Sequence, residues 1–258
     1  MVCARVAVLG AACMVCCAQQ AISPKADPFI EKARAVALSF VEQLPHYVVS
    51  QSTKRKYLRV EPSSGGTWRT LDEVSAQLVY VNGKEIYSDV MRDGKPAPDL
   101  REKQGMWSTG EYAYRLGGLF APAAATVFHS PRSAKVNGRP ALVYSFAVEQ
   151  QNSGWVIMIR GKTFQPAHKG TITFDRETAR VLELEMNSRD FPRGFPIEIV
   201  TSKTKLGQVR IGDNEYFLPV EAEVSSCTAG VDPVCTRNVS EFRDYRKFTA
   251  DSSIKFEP

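Results

Sequence analysis

Apolar residues occupy every second position over much of the chain after residue 127, in runs that short turns separate. Leu142, Tyr144, Phe146 and Val148 form one such row, and polar or small residues lie between them. Because successive side chains of a β-strand point to opposite faces, a period of two predicts strands with one apolar and one solvated face. Short connections favour antiparallel pairing of consecutive strands. The pattern therefore predicts a large antiparallel sheet whose apolar face must be covered.

The chain from Tyr47 onward shows the same alternation, with turn signals at the ends of the runs. Asn82-Gly83 lies between two alternating runs, and Asp93-Gly94 closes the second of them. Asn-Gly and Asp-Gly suit the left-handed backbone of two-residue hairpin turns. We therefore expect hairpins here, and a further turn at Asn137-Gly138.

A helical period replaces the alternation before Tyr47. Asp27 and Pro28 supply an N-cap and a first-turn proline, the apolar residues that follow recur at helical spacing, and the pattern stops before Pro45. These are the start and stop signals of an amphipathic helix.

A second, shorter helix is predicted in the middle of the chain. Ser108 and Glu111 have the spacing of a capping box, and Pro122 ends the pattern. The Gly117-Gly118 pair weakens a helix by about 1 kcal/mol per glycine relative to alanine, a cost usually offset by close approach to another element. The apolar residues of this helix are Tyr112, Leu116, Leu119 and Phe120.

The two amphipathic helices are the segments that can cover the apolar face of the sheet. The expected fold is mainly β, in the α+β class: a large curved antiparallel sheet or open β-barrel wrapped around the N-terminal helix and the short mid-chain helix. The chain has 258 residues, 43% of them hydrophobic, which suffices for one substantial core. Residues 19–258 are therefore expected to form a single domain.

Residues 1–18 differ from the rest of the chain, because one positive charge precedes an apolar run that ends in small residues. This arrangement predicts a secretory signal peptide, and the run is too short for a transmembrane helix. We expect the mature chain to be exported, to the periplasm of a bacterial cell envelope, without a transmembrane segment. A lipid-anchored form is the alternative, and it would require modification of Cys13, Cys16 or Cys17.

Removal of the signal leaves one pair of cysteines, Cys227 and Cys235, with seven residues between them. In an oxidising compartment such a pair predicts a disulfide, here across a hairpin connection. Its contribution to stability is expected to be about 2–3 kcal/mol. The competing interpretation, a reactive dithiol, requires a shorter spacing and a helix N-terminus.

The formal net charge of +5 is modest, and lysine and arginine alternate with aspartate and glutamate along the predicted strands. Such mixing is typical of a solvated surface. The chain has no basic cluster with interleaved aromatic residues, so we expect no nucleic-acid partner.

The sequence lacks the motifs of catalysis and metal binding. His46, His129 and His168 are far apart and have no metal-ligand spacing, and no nucleophile elbow is present. Glu183 and Glu185 alternate onto the outer face of one strand, where carboxylates are solvated. The sequence therefore predicts a non-enzymatic protein without catalytic residues, metal or cofactor.

Two segments carry a resemblance to a known family. Residues 170–186, "GTITFDRETARVLELEM", form a ribbon: a strand that ends in Asp, then a polar turn, then a second apolar row. The second segment, "YFLPVEAEV", is a late strand with an embedded proline. Together with the order of elements, they resemble the lipoprotein-carrier superfamily of bacterial envelopes: the LolA and LolB carriers and the RseB-type regulators. The resemblance implies that residues 19–258 are one LolA-like β domain, an unclosed barrel with a helix-plugged apolar concavity that receives acyl chains.

The resemblance implies a hydrophobic ligand, either a lipid or acyl chain or an acylated protein, as the partner. One alternative is an interaction or sensor module that presents its sheet edges or the 93–108 loop to an envelope protein. A hydrolase with an unrecognised site is the other alternative. The candidate cavity-wall residues are Trp107, Leu116, Phe120, Ile172, Phe174, Leu182, Leu184 and Met186.

Overall fold

The computed structural model describes residues 27–60, 66–97, 113–230 and 232–248. The described chain is mainly β and antiparallel, as the alternation predicts. The helices are α1 (Pro28–Gln43) and α2 (Ala113–Phe120), and the strands are β1 (Tyr47–Arg59), β2 (Arg69–Val81), β3 (Lys84–Arg92), β4 (Lys95–Pro96), β5 (Val127–Phe128), β6 (Arg132–Val136), β7 (Arg139–Val148), β8 (Ile157–Ile159), β9 (Lys162–Phe164), β10 (His168–Asp175), β11 (Val181–Ser188), β12 (Ile197–Ile211), β13 (Asn214–Thr228) and β14 (Val234–Lys247).

Twelve of these strands form a single sheet. Its order is β4-β3-β2-β1-β14-β13-β12-β11-β10-β7-β5, and β6 also pairs with β7. The first and last long strands, β1 and β14, are neighbours, with Tyr47 opposite Lys247. The sheet does not close, because β4 and β5 remain at opposite ends of this order. The prediction of a large open antiparallel sheet is therefore confirmed.

The predicted hairpin turns are present. Asn82 and Gly83, with φ of 51° and 75°, connect β2 to β3, and the corresponding pairs at residues 93–94 and 137–138 also have positive φ. Residues 157–164 form β8 and β9 as a separate two-stranded sheet.

Helix α1 begins and ends where the sequence predicts. The Asp27 side chain accepts a hydrogen bond of 2.9 Å from the backbone N–H of Phe29, Pro28 is the first helical residue, and Leu44 is the C-cap. The second Asp27 carboxylate oxygen accepts a bond of 2.9 Å from the Tyr144 hydroxyl on β7. One capping residue therefore starts the helix and also attaches it to the sheet.

Along the chain, helix α2 lies between β4 and β5. The predicted cap at Ser108 and Glu111 lies outside the described residues. The helix ends at Phe120, and Pro122 starts a single 3₁₀ turn. Arg34 of α1 donates to the Phe120 carbonyl oxygen at 2.5 Å, and Thr126 donates to the Leu119 carbonyl oxygen at 2.6 Å. These bonds satisfy carbonyls that the end of a helix leaves without partners.

The core lies between one face of the sheet, here called the inner face, and the two helices. The buried residues of α1 in this core are Ile30, Ala33 and Ala37, and α2 contributes Leu116, Leu119 and Phe120. On the sheet side the core extends from β1 and β2 to β7 and includes residues of β10 to β14. None of the described helices combines the length and apolarity needed to cross a membrane.

The disulfide prediction is confirmed. Cys227 on β13 and Cys235 on β14 lie opposite each other, and their sulfurs are 2.09 Å apart. The bond closes the connection between these two strands.

Candidate ligand-binding face

The predicted wall residues lie on three elements that pack together. Leu116 and Phe120 of α2, Ile172 and Phe174 of β10, and Leu184 and Met186 of β11 all belong to one buried cluster. On β10 and β11 the strand register accounts for this grouping. Ile172 lies opposite Leu184, and the side chains of opposite residues share one face of the sheet. Trp107 lies outside the described residues.

Leu182 is buried but does not belong to that cluster, whereas its neighbour Val181 does. The register of β10 and β11 shifts between Thr173 and Phe174, so that Phe174 lies opposite Val181. Such a bulge interrupts strict alternation by one residue. Counting alternate positions from Leu184 therefore selects Leu182 and misses Val181.

Aromatic rings from both helices meet on Phe174. Its ring centroid lies 5.6 Å from that of Phe29, 6.3 Å from that of Phe120 and 5.8 Å from that of Tyr144. Phe29 belongs to α1, Phe120 to α2 and Tyr144 to β7. These separations are those of aromatic pairs in direct contact. The protein's own side chains therefore fill the space between helices and sheet in this conformation.

Neither of two surface depressions in the described part is lined by a predicted wall residue. One, of about 350 Å³, lies among residues of β1, β2, β3 and β14. The other, of about 840 Å³, is lined mainly by polar residues: Glu149, Gln150, Gln151, Ser153, Thr163, Phe164 and Gln165. These two depressions therefore do not mark the predicted wall.

The inner face also has a polar part, which the sequence analysis did not identify. Val49 on β1 belongs to the buried cluster, and the residues that follow in the same phase are Gln51, Thr53 and Arg55, all buried. Thr53 lies opposite Ser240 of β14. Residues in phase along a strand share its face. The inner face therefore changes from apolar to polar along β1.

A hydroxyl network occupies the middle of this polar part; it consists of Gln51, Thr53 and Ser240. The Thr53 and Ser240 hydroxyl oxygens are 2.8 Å apart, and the Gln51 amide donates to Thr53 at 3.1 Å. Gln51 Oε1 is buried and accepts no hydrogen bond from the described residues.

An arginine cluster, defined by Arg55, Asp72 and Arg92, lies beyond this network. Arg55 Nε donates to Asp72 Oδ1 at 2.5 Å, and Arg55 Nη2 contacts Asp72 Oδ2, so the pair is bidentate. Arg92 Nε lies 3.5 Å from the same Oδ2. The Arg55 side chain is only 1% exposed. Two guanidinium groups thus share one carboxylate in a region from which water is largely excluded.

Several donors of the arginine cluster have no acceptor among the described residues: Arg55 Nη1, Arg92 Nε and Arg92 Nη2. Leaving a buried donor unsatisfied costs about 1–3 kcal/mol, and more for a charged group. A buried cluster with a surplus positive charge and unused donors is therefore an unusual arrangement for a purely structural ion pair.

Helix α2 brings another cation to the inner face. Arg115 donates through Nη1 to the Ser202 hydroxyl on β12. It also lies near His168, whose ring packs on Trp155 at 5.5 Å between centroids. Burial lowers the pKa of His168; the Pro166 carbonyl opposes this, and the Arg115 charge lowers the pKa further. Burial of the ring therefore favours the neutral form of His168.

The turn between β10 and β11 is structural, as expected. Burial raises the pKa of Asp175, but hydrogen bonds from Thr178 and Glu177 and the charge of Arg139 outweigh burial, so its pKa is lowered overall. The Asp175 carboxylate accepts from the Thr178 backbone N–H at 2.8 Å and from that of Glu177 at 3.1 Å. These bonds shape residues 175–180 and leave the carboxylate fully engaged.

The polar part of the inner face did have a sequence signal. Gln51, Thr53 and Arg55 continue the inward phase of Tyr47 and Val49 on β1. On β2, Asp72 lies on the same face as the buried residues Val74, Ala76, Leu78 and Tyr80. The alternation thus marks which face these residues occupy, although it cannot show that Arg55 and Asp72 lie opposite each other, which depends on register.

Among the described residues, no three histidine, cysteine, aspartate or glutamate side chains are grouped so as to hold a metal ion. The chain matches no protein-family model and no curated protein sequence.

Proposed function

We propose that this protein is a non-enzymatic, exported protein of the bacterial cell envelope that binds a hydrophobic ligand between the inner face of its open sheet and its two helices. The ligand is a lipid or an acyl chain, free or attached to a lipoprotein. Membership of the LolA, LolB and RseB-type superfamily is part of the same proposal, and the order of elements and the ribbon at residues 170–186 support it.

One observation carries the proposal. The apolar part of a large open sheet is covered by α1 and by α2, of which eight residues are described, instead of by a second sheet. Helix α2 contributes Leu116, Leu119 and Phe120 to the buried cluster, and the Phe120 ring lies beside Phe174. An acyl chain has the same apolar character as these side chains. It can replace them on the sheet if α2 moves away.

Helix α2 is weakly built for a permanent cover. Gly117 and Gly118 each lower the stability of the helix by about 1 kcal/mol relative to alanine. Its polar attachments include the bonds through Arg34, Arg115 and Thr126, which water can replace when the helix moves. These features support α2 as the element that opens.

The first test is direct ligand detection. Protein purified from its envelope source is extracted with organic solvent and analysed by mass spectrometry, and delipidated protein is titrated with a fluorescent fatty acid. We expect co-purified lipid and saturable binding of the probe, with one strong site per chain. Absence of both lipid and saturable binding refutes the proposed function.

The second test locks α2. A Cβ atom built on Gly117 lies 4.0 Å from Val41 Cγ1 of α1, so the double variant Val41→Cys, Gly117→Cys can form a disulfide after small movements. We expect the oxidised variant to bind the fatty acid at least roughly tenfold more weakly than the reduced variant, because the open conformation becomes less populated.

The control for this test is the unsubstituted protein in the same reductant, because reduction also affects Cys227–Cys235. Equal binding by oxidised and reduced double variants shows that α2 need not separate from α1, and that the proposed entry route is incorrect.

A further inference from the structure

We infer that the ligand has an anionic head group, a carboxylate or a phosphate, and that Arg55 and Arg92 on the inner face of the sheet bind this group. The inference rests on the proposed function, since it defines the polar end of the hydrophobic ligand. It concerns residues outside the predicted apolar wall.

Across the strands, the arginine cluster lies two strands from an apolar residue of the inner face. Arg55 on β1 lies opposite Asn238 on β14, which lies opposite Val224 on β13. Val224 belongs to the buried apolar cluster. Neighbouring strands are about 4.8 Å apart, so Arg55 and Val224 are separated by roughly 10 Å across the sheet. A head group at Arg55 therefore places the first carbons of its chain over Val224.

The charge balance of the cluster favours an anion. Arg55 and Asp72 already form a bidentate pair, so the carboxylate of Asp72 is largely used. Arg92 reaches the same carboxylate at 3.5 Å but forms no hydrogen bond through Nε to the described residues. One negative charge therefore faces two positive charges, and an incoming anion restores neutrality.

The unused donors have the chemistry that a carboxylate or phosphate requires. Arg55 Nη1, Arg92 Nε and Arg92 Nη2 are buried and lack acceptors among the described residues. Guanidinium groups offer their N–H donors in a planar fork that matches two oxygens of such an anion. A neutral hydroxyl or ester offers no charge and fewer acceptor sites, so it leaves the surplus charge buried.

The test compares ligands that differ only in head group. Delipidated protein is titrated with a fluorescent undecanoic acid, with its methyl ester, and with the corresponding alkyl phosphate. We expect the acid and the phosphate to bind about tenfold or more tightly than the ester, because charge-assisted hydrogen bonds are lost in the ester. Inorganic phosphate alone is included to separate an amphiphile site from a site for the free anion.

Arg92→Gln is the diagnostic variant, because the Arg92 side chain is 24% exposed and its removal leaves the Arg55–Asp72 pair intact. We expect this variant to lose about tenfold in affinity for the acid and to bind the ester nearly as before. Arg92→Lys keeps the charge and is expected to retain the preference for the acid. The matched control is Arg210→Gln, since Arg210 is 74% exposed and paired only distantly, at 3.7 Å, with Glu215.

The outcomes separate the two claims. Loss of the acid preference in Arg92→Gln, with retention in Arg92→Lys and Arg210→Gln, supports the inference. Equal binding of acid and ester, or an acid preference that survives Arg92→Gln, overturns it while leaving a hydrophobic binding site in place. Phosphate binding that competes with none of the amphiphiles also overturns it. Failure of all amphiphiles to bind refutes the proposed function itself.

Discussion

Replacement of Gly170 by alanine tests the packing of the ribbon at its first residue. A Cβ atom built on Gly170 lies 1.8 Å from the Glu185 carbonyl oxygen and 3.0 Å from Phe146 Cζ. Carbon atoms prefer separations of about 3.5–4.0 Å from their neighbours. Because the closest atom belongs to the backbone of β11, a side-chain rotation cannot relieve the overlap. The alanine variant must therefore separate β10 from β11 near the Gly170–Met186 pair.

The magnitude follows from two contributions. Overpacking in a well-packed core costs about 1–3 kcal/mol, and each ladder hydrogen bond that is weakened costs about 1 kcal/mol. We expect a loss of about 2–4 kcal/mol for Gly170→Ala, a large fraction of the roughly 5–15 kcal/mol by which folded proteins are stable.

The assay is urea unfolding, followed by far-ultraviolet circular dichroism and tryptophan fluorescence. With a denaturant dependence of about 2–3 kcal/mol/M, the midpoint should fall by about 1–2 M. The matched control is Gly118→Ala on α2, where a Cβ atom meets nothing within 4 Å. This control makes the same chemical change and should stabilise the protein by up to about 1 kcal/mol. Midpoints for Gly170→Ala and unsubstituted protein that agree within error would refute the close approach of β10 and β11.

Two further predictions concern the disulfide and the buried histidine. Replacing both Cys227 and Cys235 by serine should lower the free energy of unfolding by about 2–3 kcal/mol, because the unfolded chain regains the freedom of a short loop; an unchanged urea midpoint under non-reducing conditions contradicts this. Because the pKa of His168 is lowered in the folded state, the unfolded chain binds more protons as the pH falls below 6.5, and stability should decrease there. His168→Gln removes this contribution, so the urea midpoint of the variant should depend less on pH between 7.5 and 5 than that of the unsubstituted protein; equal dependence shows that His168 is not the responsible group.

Local signals in the sequence were sufficient for most of the secondary structure. The N-cap at Asp27, the Asn82-Gly83 turn and the paired Cys227 and Cys235 each depend on a few neighbouring residues, and all are confirmed. The wall positions on α2 and β10 also follow from local periodicity, because inward residues recur at fixed spacing.

Other features depend on contacts between distant strands, which local patterns do not encode. Val181 belongs to the buried cluster and Leu182 does not, because a bulge shifts the register between β10 and β11. The bidentate pair of Arg55 and Asp72 requires the register of β1 against β2. A count of polar and apolar residues treats Arg55 as a surface charge, because arginine is seldom fully buried. The polar part of the inner face was missed for this reason.

The pairing of β1 with β14 has a consequence for how the chain acquires its structure. In the sheet, this pairing connects strands β1 to β4 with β14 and the strands that follow it in the order. The paired residues Tyr47 and Lys247 nevertheless come from nearly opposite ends of the described chain. Pairing over such a sequence separation carries a large loop-closure entropy and slows folding. During synthesis, the two segments can each form hairpins, but they cannot unite until residues 234–247 have emerged. The described sheet therefore stays incomplete until β14 has been synthesised.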